Sequence, residues 1–453
     1  MEATTEVDIV VIGLGPGGEH AAIKLAEAGL QVVGIDRRLV GGECPYYGCV
    51  PSKMMIRAVD ALGEARRVPD LAGRAEVIPD WSPVATRIRK EATDDWDDTV
   101  AVERLEKAGV RFVRGHGTLV GPGRVEVDGT TYSASRGVIL NTGTEPGVPP
   151  VPGLAETPYW TNRDAVRAES VPASMVVIGG GAVGLELAQA FSRFGVTVSV
   201  VEVADRILAP EEPEASAVVA DVLAREGLQV LTGAQIGSVS HVDGTFTVDL
   251  GDQVLTADKL LVAAGRSNNL ADIGLDTVGL DPSMKSIETD ERMRAGERLW
   301  AIGDITGHGA FTHVSMYQAQ LAVRDLLDKD GPWADYRAVS RVTFTDPEVG
   351  SVGMTEHQAR EAGLEVQTGQ AEVPKSSRGW IHHSGNDGII KVVADADRGV
   401  LVGATAVGPS GGEILGLLAA AVHAEIPVAT LSTMHFAYPT FHRGIETALQ
   451  DLA

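Results

Sequence analysis

The chain has 453 residues and is acidic, with 62 acidic against 38 basic side chains, a net charge of −24 and a pI near 4.8. This charge opposes binding to nucleic-acid phosphates or an anionic membrane, so we expect neither as a partner. A length of 453 residues, a hydrophobic content of 44% and 53 glycines together predict two to four domains with sizeable cores. A strand pattern at 7–12 leaves no room for a signal peptide, and no apolar run reaches spanning length, so we expect a cytoplasmic protein.

The first predicted elements form a strand–helix–strand unit, with strands at 7–12 and 31–35 and a helix at 19–28. The turn between the first strand and the helix contains a G-x-G-x-x-G motif made by Gly13, Gly15 and Gly18. Such a turn lets backbone amides approach a pyrophosphate at the helix N-terminus, and the acid that ends the second strand, Asp36, can bind a ribose hydroxyl. By itself the motif is weak, because glycine triplets also occur in ordinary tight turns.

The only two cysteines, Cys44 and Cys49, lie together in the segment GGECPYYGCVPSK at 41–53. A pair at a helix start can close a small loop, and the helix dipole together with Lys53 would stabilise a thiolate when the loop opens. In a reducing compartment a structural disulfide is not expected, so the pair predicts redox chemistry or metal binding. Metal binding is the weaker alternative, because a closed zinc site needs about four ligands and the segment has no histidine.

A second strand–helix–strand unit follows, with strands at 175–178 and 197–201. Its glycine motif is formed by Gly179, Gly181 and Gly184. Two units predict two dinucleotides. The acid after the last strand, Glu202, suits an unphosphorylated ribose and favours NADH over NADPH. Arg206 leaves NADPH open, because its side chain could reach a ribose phosphate.

The remaining segments carry no nucleotide motif. Residues 81–108 alternate charges with spaced apolar positions, which predicts solvated amphipathic helices that pack structurally. From about residue 339, strand patterns at 388–394 and 400–407 precede an apolar helix at 413–424. This part is predicted to be an interface domain.

With these motifs in this order, the chain resembles the class I pyridine nucleotide–disulfide oxidoreductases, the family of dihydrolipoamide dehydrogenase, glutathione reductase and mercuric reductase. The segment 41–53 matches the family signature in its glycines, both cysteines and the Pro-Ser-Lys end. Supporting matches are Thr142-Gly143, Gly265-Arg266 and Ala301-Ile302-Gly303-Asp304. The resemblance implies that Gly143, Gly265 and Asp304 lie at the cofactors.

The resemblance also implies an α/β fold with two Rossmann-like domains and an α+β C-terminal dimerisation domain. FAD would bind a domain made of 1–150 and 271–338, and a nicotinamide dinucleotide, NAD or NADP, would bind 151–270. The dimerisation domain would be 339–453 and would form a homodimer.

In the family pattern, hydride passes from NADH to the flavin and then to the Cys44–Cys49 disulfide. By similarity, Cys49 lies against the flavin and Cys44 attacks the substrate. Lys53 and Glu186 resemble the ion pair near the flavin, and Asp304 resembles the aspartate that bonds the FAD ribityl chain. For Lys53 and Glu186, ordinary surface and helix charges are the alternative.

The chain departs from the family where the substrate is decided. Family disulfide reductases have a histidine and a glutamate as acid–base pair near the C-terminus, and this chain has Tyr438 and Arg443 at those positions. A tyrosine hydroxyl is a poor proton acceptor at neutral pH. His435 is one nearby substitute, and His442 with Glu446 is another, although such a pair is more often a surface contact.

Tyrosine at this position resembles mercuric reductase and the soluble transhydrogenases. Mercuric reductase also uses a second cysteine pair, which this sequence lacks, and the transhydrogenases lack the intact pair, which this sequence keeps. Tyr46 and Tyr47, inside the cysteine loop, either reshape the substrate entrance or only pack.

We therefore predict an FAD-dependent NADH oxidoreductase that uses Cys44 and Cys49 to reduce a non-standard small-molecule acceptor, namely a small disulfide, a quinone or a thiophilic metal ion. One alternative is direct transfer from flavin to a quinone or another nicotinamide, with non-essential cysteines. The other is a redox-sensing flavoprotein or complex subunit.

Overall fold

The computed structural model describes residues 3–452, and the chain folds into two compact units of three segments each. The first unit comprises the chain up to Pro51, Ile88–Glu145 and Arg266–Asp335, and the second comprises Ser52–Arg87, Pro146–Gly265 and the chain from Tyr336. The three-domain boundaries drawn from the sequence remain a prediction, and their outermost residues 1, 2 and 453 lie outside the described residues.

The first unit is built on one large sheet whose main strands run in the order 294–296, 299–301, 130–140, 3–12, 32–36 and 110–114. Ala3–Ile12 pairs in parallel with Val32–Asp36 and with Thr130–Leu140. Residues 9–12 are all buried, as a parallel strand covered on both faces requires. Two short strands, Thr118–Leu119 and Arg124–Val127, extend the sheet at Thr130–Leu140.

The helices of the first unit place its motifs. The long ones are Pro16–Glu27, Thr99–Lys107 and Thr312–Leu326, and the cysteine segment contributes the short helix Glu43–Tyr46 and the start of Cys49–Leu71, which continues into the second unit. Short 3-10 turns lie at Leu275–Val278 and Asp304–Thr306. The helix Pro16–Glu27 begins three residues before its predicted start at residue 19, because the first turn of a helix accommodates a proline.

The predicted amphipathic helices at 81–108 are interrupted in the structure. Helices form at Ser82–Arg87 and Thr99–Lys107, but a π-helical turn at Ile88–Ala92 and a tight turn at Asp94–Trp96 separate them. Residues 94–96 have positive φ angles, which alternating charge does not reveal.

In the second unit, a parallel sheet carries the second glycine motif. Its strands run in the order 229–231, 197–201, 174–178 and 259–262, and the helix Ala182–Arg193 follows the strand Ser174–Ile178. Helices Asn162–Val166 and Pro213–Arg225 and the antiparallel strands Ser238–Val242, Thr245–Asp249 and Val254–Ala257 complete this part. Two short strands, Thr144–Pro146 and Arg266–Asn268, form a separate ribbon, and all of their residues except Pro146 belong to the first unit.

The C-terminal part of the second unit is a five-stranded antiparallel sheet with strands in the order 340–343, 348–353, 400–408, 389–395 and 366–372. Every residue of Ile389–Asp395 and Val400–Gly408 is buried, because apolar side chains pack on both faces of these strands. The helices here are Glu356–Glu361, Ser377–His382, Gly411–His423, Val428–Leu431 and Arg443–Gln450, with a 3-10 turn at Val373–Lys375.

The architecture confirms the predicted fold class, an α/β protein with two Rossmann-like parts and an α+β C-terminal part. Within the part of the chain that the structure describes, helices long and apolar enough to cross a bilayer are absent.

Candidate functional site

The first and third glycines of both motifs are required by the packing of the backbone around them. Gly13 and Gly179 have φ angles of +91° and +113°, and a Cβ atom would lie 2.2 Å and 2.4 Å from a neighbouring backbone oxygen. A Cβ on Gly18 or Gly184 would lie 2.0 Å and 2.1 Å from the carbonyl oxygen of the first glycine. These four glycines therefore let the turn, the helix and the strands pack closely.

The second glycine of each motif has a different explanation. Gly15 and Gly181 have φ angles of −66° and −84°, which any residue adopts. A Cβ on Gly181 would meet no protein atom within 4 Å. A side chain there would fill the space at the N-terminus of the following helix, where backbone amides bind a pyrophosphate. The residues present thus fit a dinucleotide.

The acids of the two motifs are held in the same way. Asp36 Oδ2 accepts a hydrogen bond from Leu14 N at 2.7 Å, and Glu202 Oε2 accepts one from Gly180 N at 2.6 Å. In each acid the other oxygen accepts the amide two residues further on, at 2.7 Å. Burial raises the pKa of Asp36. Each carboxylate is therefore fixed beside its glycine turn, as ribose binding requires.

Arg206, which left the choice of nicotinamide open, is engaged with the backbone. Its guanidinium donates to the carbonyl oxygens of Leu208 at 3.1 Å and Ala209 at 2.6 Å. Reaching a ribose phosphate would break both bonds.

The two cysteines occupy the starts of successive helices. Cys44 lies half-buried in Glu43–Tyr46, and Cys49 is exposed and begins Cys49–Leu71. The Sγ atom of Cys49 lies 3.5 Å from Oγ1 of Thr312, the first residue of the helix Thr312–Leu326. The positive ends of two helix dipoles therefore lie near this thiol, which favours its thiolate.

Lys53 and Glu186 meet, as the resemblance implies. Lys53 Nζ lies 2.8 Å from Glu186 Oε2, and the amide of Phe344 donates to Glu186 Oε1 at 2.8 Å. The ammonium group also lies 4.5 Å from the centre of the Phe344 ring. The buried carboxylate and the ring together hold the lysine charge in one place.

Asp304 belongs to a chain of polar contacts in the first unit. Its Oδ2 accepts from Thr144 Oγ1 at 2.6 Å, and the same hydroxyl accepts from Arg266 Nε at 2.6 Å. Gly143 and Gly265, each one residue before a short strand, have φ angles of +64° and +104°. The structure thus gives Asp304 a fixed orientation.

Tyr438 lies on the surface of the second unit with 65% of its area exposed, before a cis proline. The Arg443 guanidinium carbon lies 5.1 Å from the centre of the Tyr438 ring, and its Nε lies 3.1 Å from Glu446 Oε2. Glu446, which the sequence suggested as a partner for His442, pairs with Arg443 in the structure. This segment presents a stacked tyrosine and a paired arginine, without an imidazole–carboxylate pair between these side chains.

Residues 3–452 contain no group of three or more His, Cys, Asp or Glu side chains placed to hold a metal ion. The sequence did not reveal three residues that contact the predicted site: Thr312 contacts Cys49, Phe344 contacts Lys53, and Trp96 contacts Tyr46. No local pattern marks them, because their partners lie far away in the chain.

Comparison with known proteins identifies the family. Residues 7–324 match the model of pyridine nucleotide-disulphide oxidoreductases, and residues 339–449 match the dimerisation domain of the same family. Mercuric reductase from Staphylococcus aureus is 30% identical over 98% of this chain and 82% of its own length. Mercuric reductase from Streptomyces lividans is 31% identical over 99% and 97%, and dihydrolipoyl dehydrogenase from Thermus scotoductus is 32% identical over 98% and 97%.

Solved structures agree with this assignment. LpdA from Mycobacterium tuberculosis is 26% identical and superposes with a TM-score of 0.85 over 98% of this chain and 99% of its own. The HOCl-induced flavoprotein disulfide reductase RclA from Escherichia coli has the same fold, with a TM-score of 0.84 at 24% identity over 98% and 99%. The chain therefore belongs to the pyridine nucleotide-disulphide oxidoreductase family, as an enzyme that uses FAD and a nicotinamide dinucleotide and carries a dimerisation domain.

Proposed function

We propose that this protein is an NADH-dependent flavoprotein that reduces a thiophilic metal ion through Cys44 and Cys49. One observation carries the proposal. The redox cysteine segment is intact, while Arg443 stacks on Tyr438 and pairs with Glu446 where disulfide reductases have a histidine and a glutamate. Reduction of a disulfide substrate needs an acid that protonates the leaving thiolate, and this chain has Tyr438 and Arg443 at the two positions where disulfide reductases have that acid–base pair.

A soft metal ion removes that need. The thiolates of Cys44 and Cys49 bind the ion, two electrons pass to it, the sulfur–sulfur bond closes and the reduced ion leaves, so that no proton moves in this step. Bound FAD supplies two-electron transfer from NADH, which returns the disulfide to its open form. The names of the mercuric reductase relatives support this choice of acceptor.

The residues of the chain have distinct tasks in this proposal. The Thr312 hydroxyl and two helix N-termini stabilise the Cys49 thiolate. Lys53, held by Glu186 and Phe344, provides a fixed positive charge. The sequence has two cysteines, so Cys44 and Cys49 are the thiols of this sequence that can bind the ion.

The test is anaerobic NADH oxidation with Hg²⁺, lipoamide or a short-chain quinone as acceptor, in wild type and in Cys44→Ser. We expect Hg²⁺-dependent turnover and slow lipoamide turnover in wild type, and the loss of both in Cys44→Ser. Quinone turnover that dominates and is insensitive to Cys44→Ser would overturn the proposal in favour of direct flavin transfer. An NADH titration of the visible spectrum gives a second reading, because a working cysteine pair takes up two electrons beyond those of the flavin.

A substitution on the tyrosine side tests the reason given for the acceptor. Tyr438→His together with Arg443→Glu is expected to raise lipoamide turnover, because it introduces the missing acid–base pair. Arg443→Glu alone is the matched control and should not raise it. An unchanged rate in the double variant would mean that the acceptor pocket, and not the base, limits disulfide reduction.

A further inference from the structure

The backbone of the first unit contains three consecutive left-handed residues that are not glycine. Asp94, Asp95 and Trp96 have φ angles of 47°, 56° and 60°. L-residues rarely adopt this conformation, and it persists only where the surroundings hold it. Strain of this kind concentrates at functional sites, so the contacts of this turn are informative.

Both ends of the turn are anchored. Before it, the buried side chain of Thr93 donates from Oγ1 to the carbonyl oxygen of Ile88 at 3.0 Å. After it, Asp98 Oδ2 accepts the amide of Val40 at 2.7 Å and pairs with Arg114 at 2.5 Å. Val40 is fully buried and directly precedes the cysteine segment. The anchoring therefore reaches the base of the cysteine loop.

The turn also contacts the middle of that loop. The Trp96 indole Nε1 donates to the carbonyl oxygen of Tyr46 at 3.1 Å, and the Tyr46 hydroxyl donates to the carbonyl oxygen of Asp97 at 3.5 Å. Tyr46 lies between Cys44 and Cys49 in the sequence. Its carbonyl is at the end of a short helix, where no intrahelical donor is available. The indole supplies that donor.

Tyr46 is a fixed point rather than a mobile side chain. Only 6% of it is exposed. Burial, followed by the charge of Asp98, raises the pKa of Tyr46 to about 12, so its hydroxyl remains a donor at neutral pH. The loop is thus held at its base and at its centre by one segment, residues 96–98.

We propose that Trp96 is a positioning residue for the Cys44–Cys49 pair, and that the left-handed turn directs its indole to the cysteine loop. This inference rests on the proposed use of these cysteines as a redox pair. The equilibrium between a disulfide and two thiols depends on the effective concentration of one thiol at the other, which a fixed loop raises. Loss of the indole bond loosens the loop and favours the open dithiol.

The test measures that equilibrium directly in the FAD-loaded enzyme. The protein is equilibrated with mixtures of reduced and oxidised dithiothreitol, in which the reagent gives two electrons and two protons to the disulfide and closes its own ring. Acid quenching, alkylation and mass spectrometry then count open and closed pairs. For Trp96→Phe we expect a shift of about tenfold towards the dithiol, or about 30 mV for this two-electron couple.

Two further variants keep the test decisive. Trp81→Phe is the matched control, because the Trp81 indole also donates to a backbone carbonyl, that of Ala168 at 2.7 Å. It should leave the equilibrium unchanged. Tyr46→Phe removes only the longer hydroxyl bond and should shift the equilibrium in the same direction by less than Trp96→Phe. If Trp96→Phe does not fold, Tyr46→Phe carries the test.

The outcomes separate this inference from the proposed function. A wild-type enzyme that forms no disulfide in any mixture would refute the redox pair itself. If wild type forms the disulfide and Trp96→Phe leaves its equilibrium unchanged, the positioning role is overturned. A lower melting temperature of Trp96→Phe in that case would show that Trp96 has a purely structural role. An equal shift in Trp81→Phe would overturn it too.

Discussion

Replacement of Glu202 by alanine is the sharpest test of the dinucleotide assignment in the second unit. The carboxylate is oriented by the amides of Gly180 at 2.6 Å and Ala204 at 2.7 Å, beside the second glycine turn. In that position it would accept hydrogen bonds from the ribose hydroxyls of NADH and repel the extra phosphate of NADPH. Glu202→Ala should therefore weaken the use of NADH and improve the relative use of NADPH.

The size of the effect follows from the bonds that are lost. Hydrogen bonds to a charged group contribute about 1.5–3 kcal/mol, which corresponds to a factor of about 10 to 150 in kcat/KM for NADH. Glu202→Ala also deprives two backbone amides of their acceptor, and this local cost affects both nucleotides equally. This shared cost cancels in the ratio of kcat/KM for NADH to kcat/KM for NADPH. We expect this ratio to fall by at least tenfold.

The assay is steady-state oxidation of each nucleotide with one artificial acceptor at fixed ionic strength. Asp205→Ala is the matched control, because Asp205 is an exposed acid on the same loop and tests the effect of charge alone. An unchanged nucleotide ratio in Glu202→Ala would refute the assignment of the ribose acid. The same change in Asp205→Ala would attribute the preference to general electrostatics.

Two predictions concern stability. Lys391 is 4% exposed and contacts three carboxylates, so Lys391→Met leaves the buried Glu212 without its cationic partner. This substitution should lower the free energy of unfolding, measured by urea denaturation, by about 3–5 kcal/mol. Burial, followed by the charge of Asp346, raises the pKa of Asp60 to about 6, so stability from this group falls as pH rises from about 4 to 6. Asp60→Asn should therefore stabilise the protein at pH 7 by about 1–2 kcal/mol, allowing for partial exposure, with no gain at pH 4.

Each of these predictions has a surface control. Lys375 pairs with Glu372 on the surface, so Lys375→Met should cost less than about 1 kcal/mol, and a loss equal to that of Lys391→Met would contradict the reasoning. Asp221 is exposed, and Asp221→Asn should show no dependence on pH between 4 and 7. A pH-independent gain in Asp60→Asn would mean that ionisation is not the cause.

The elements that the sequence predicted best are those whose pattern is local. The strand 197–201 appears with the predicted bounds, and the bounds of the strands and helices beside both glycine motifs differ from the prediction by four residues or fewer. Apolar runs next to glycine turns are sufficient here, because a buried parallel strand and a tight turn each impose their own residue types. At 81–108 the predicted amphipathic helices form only at Ser82–Arg87 and Thr99–Lys107, and the turn between them was not predicted, because contacts with distant residues hold it.

The sequence by itself determined the α/β class, the two dinucleotide motifs, the cysteine pair and the absence of the usual acid–base residues. Only the tertiary structure decided which groups surround those residues: Thr312 beside Cys49, Phe344 beside Lys53, and Trp96 beside the cysteine loop. The physical reason is distance along the chain. Glycine spacing and hydrophobic period report what a residue needs from its immediate neighbours, whereas these contacts join residues 50 to 291 positions apart and form only when the sheets are assembled.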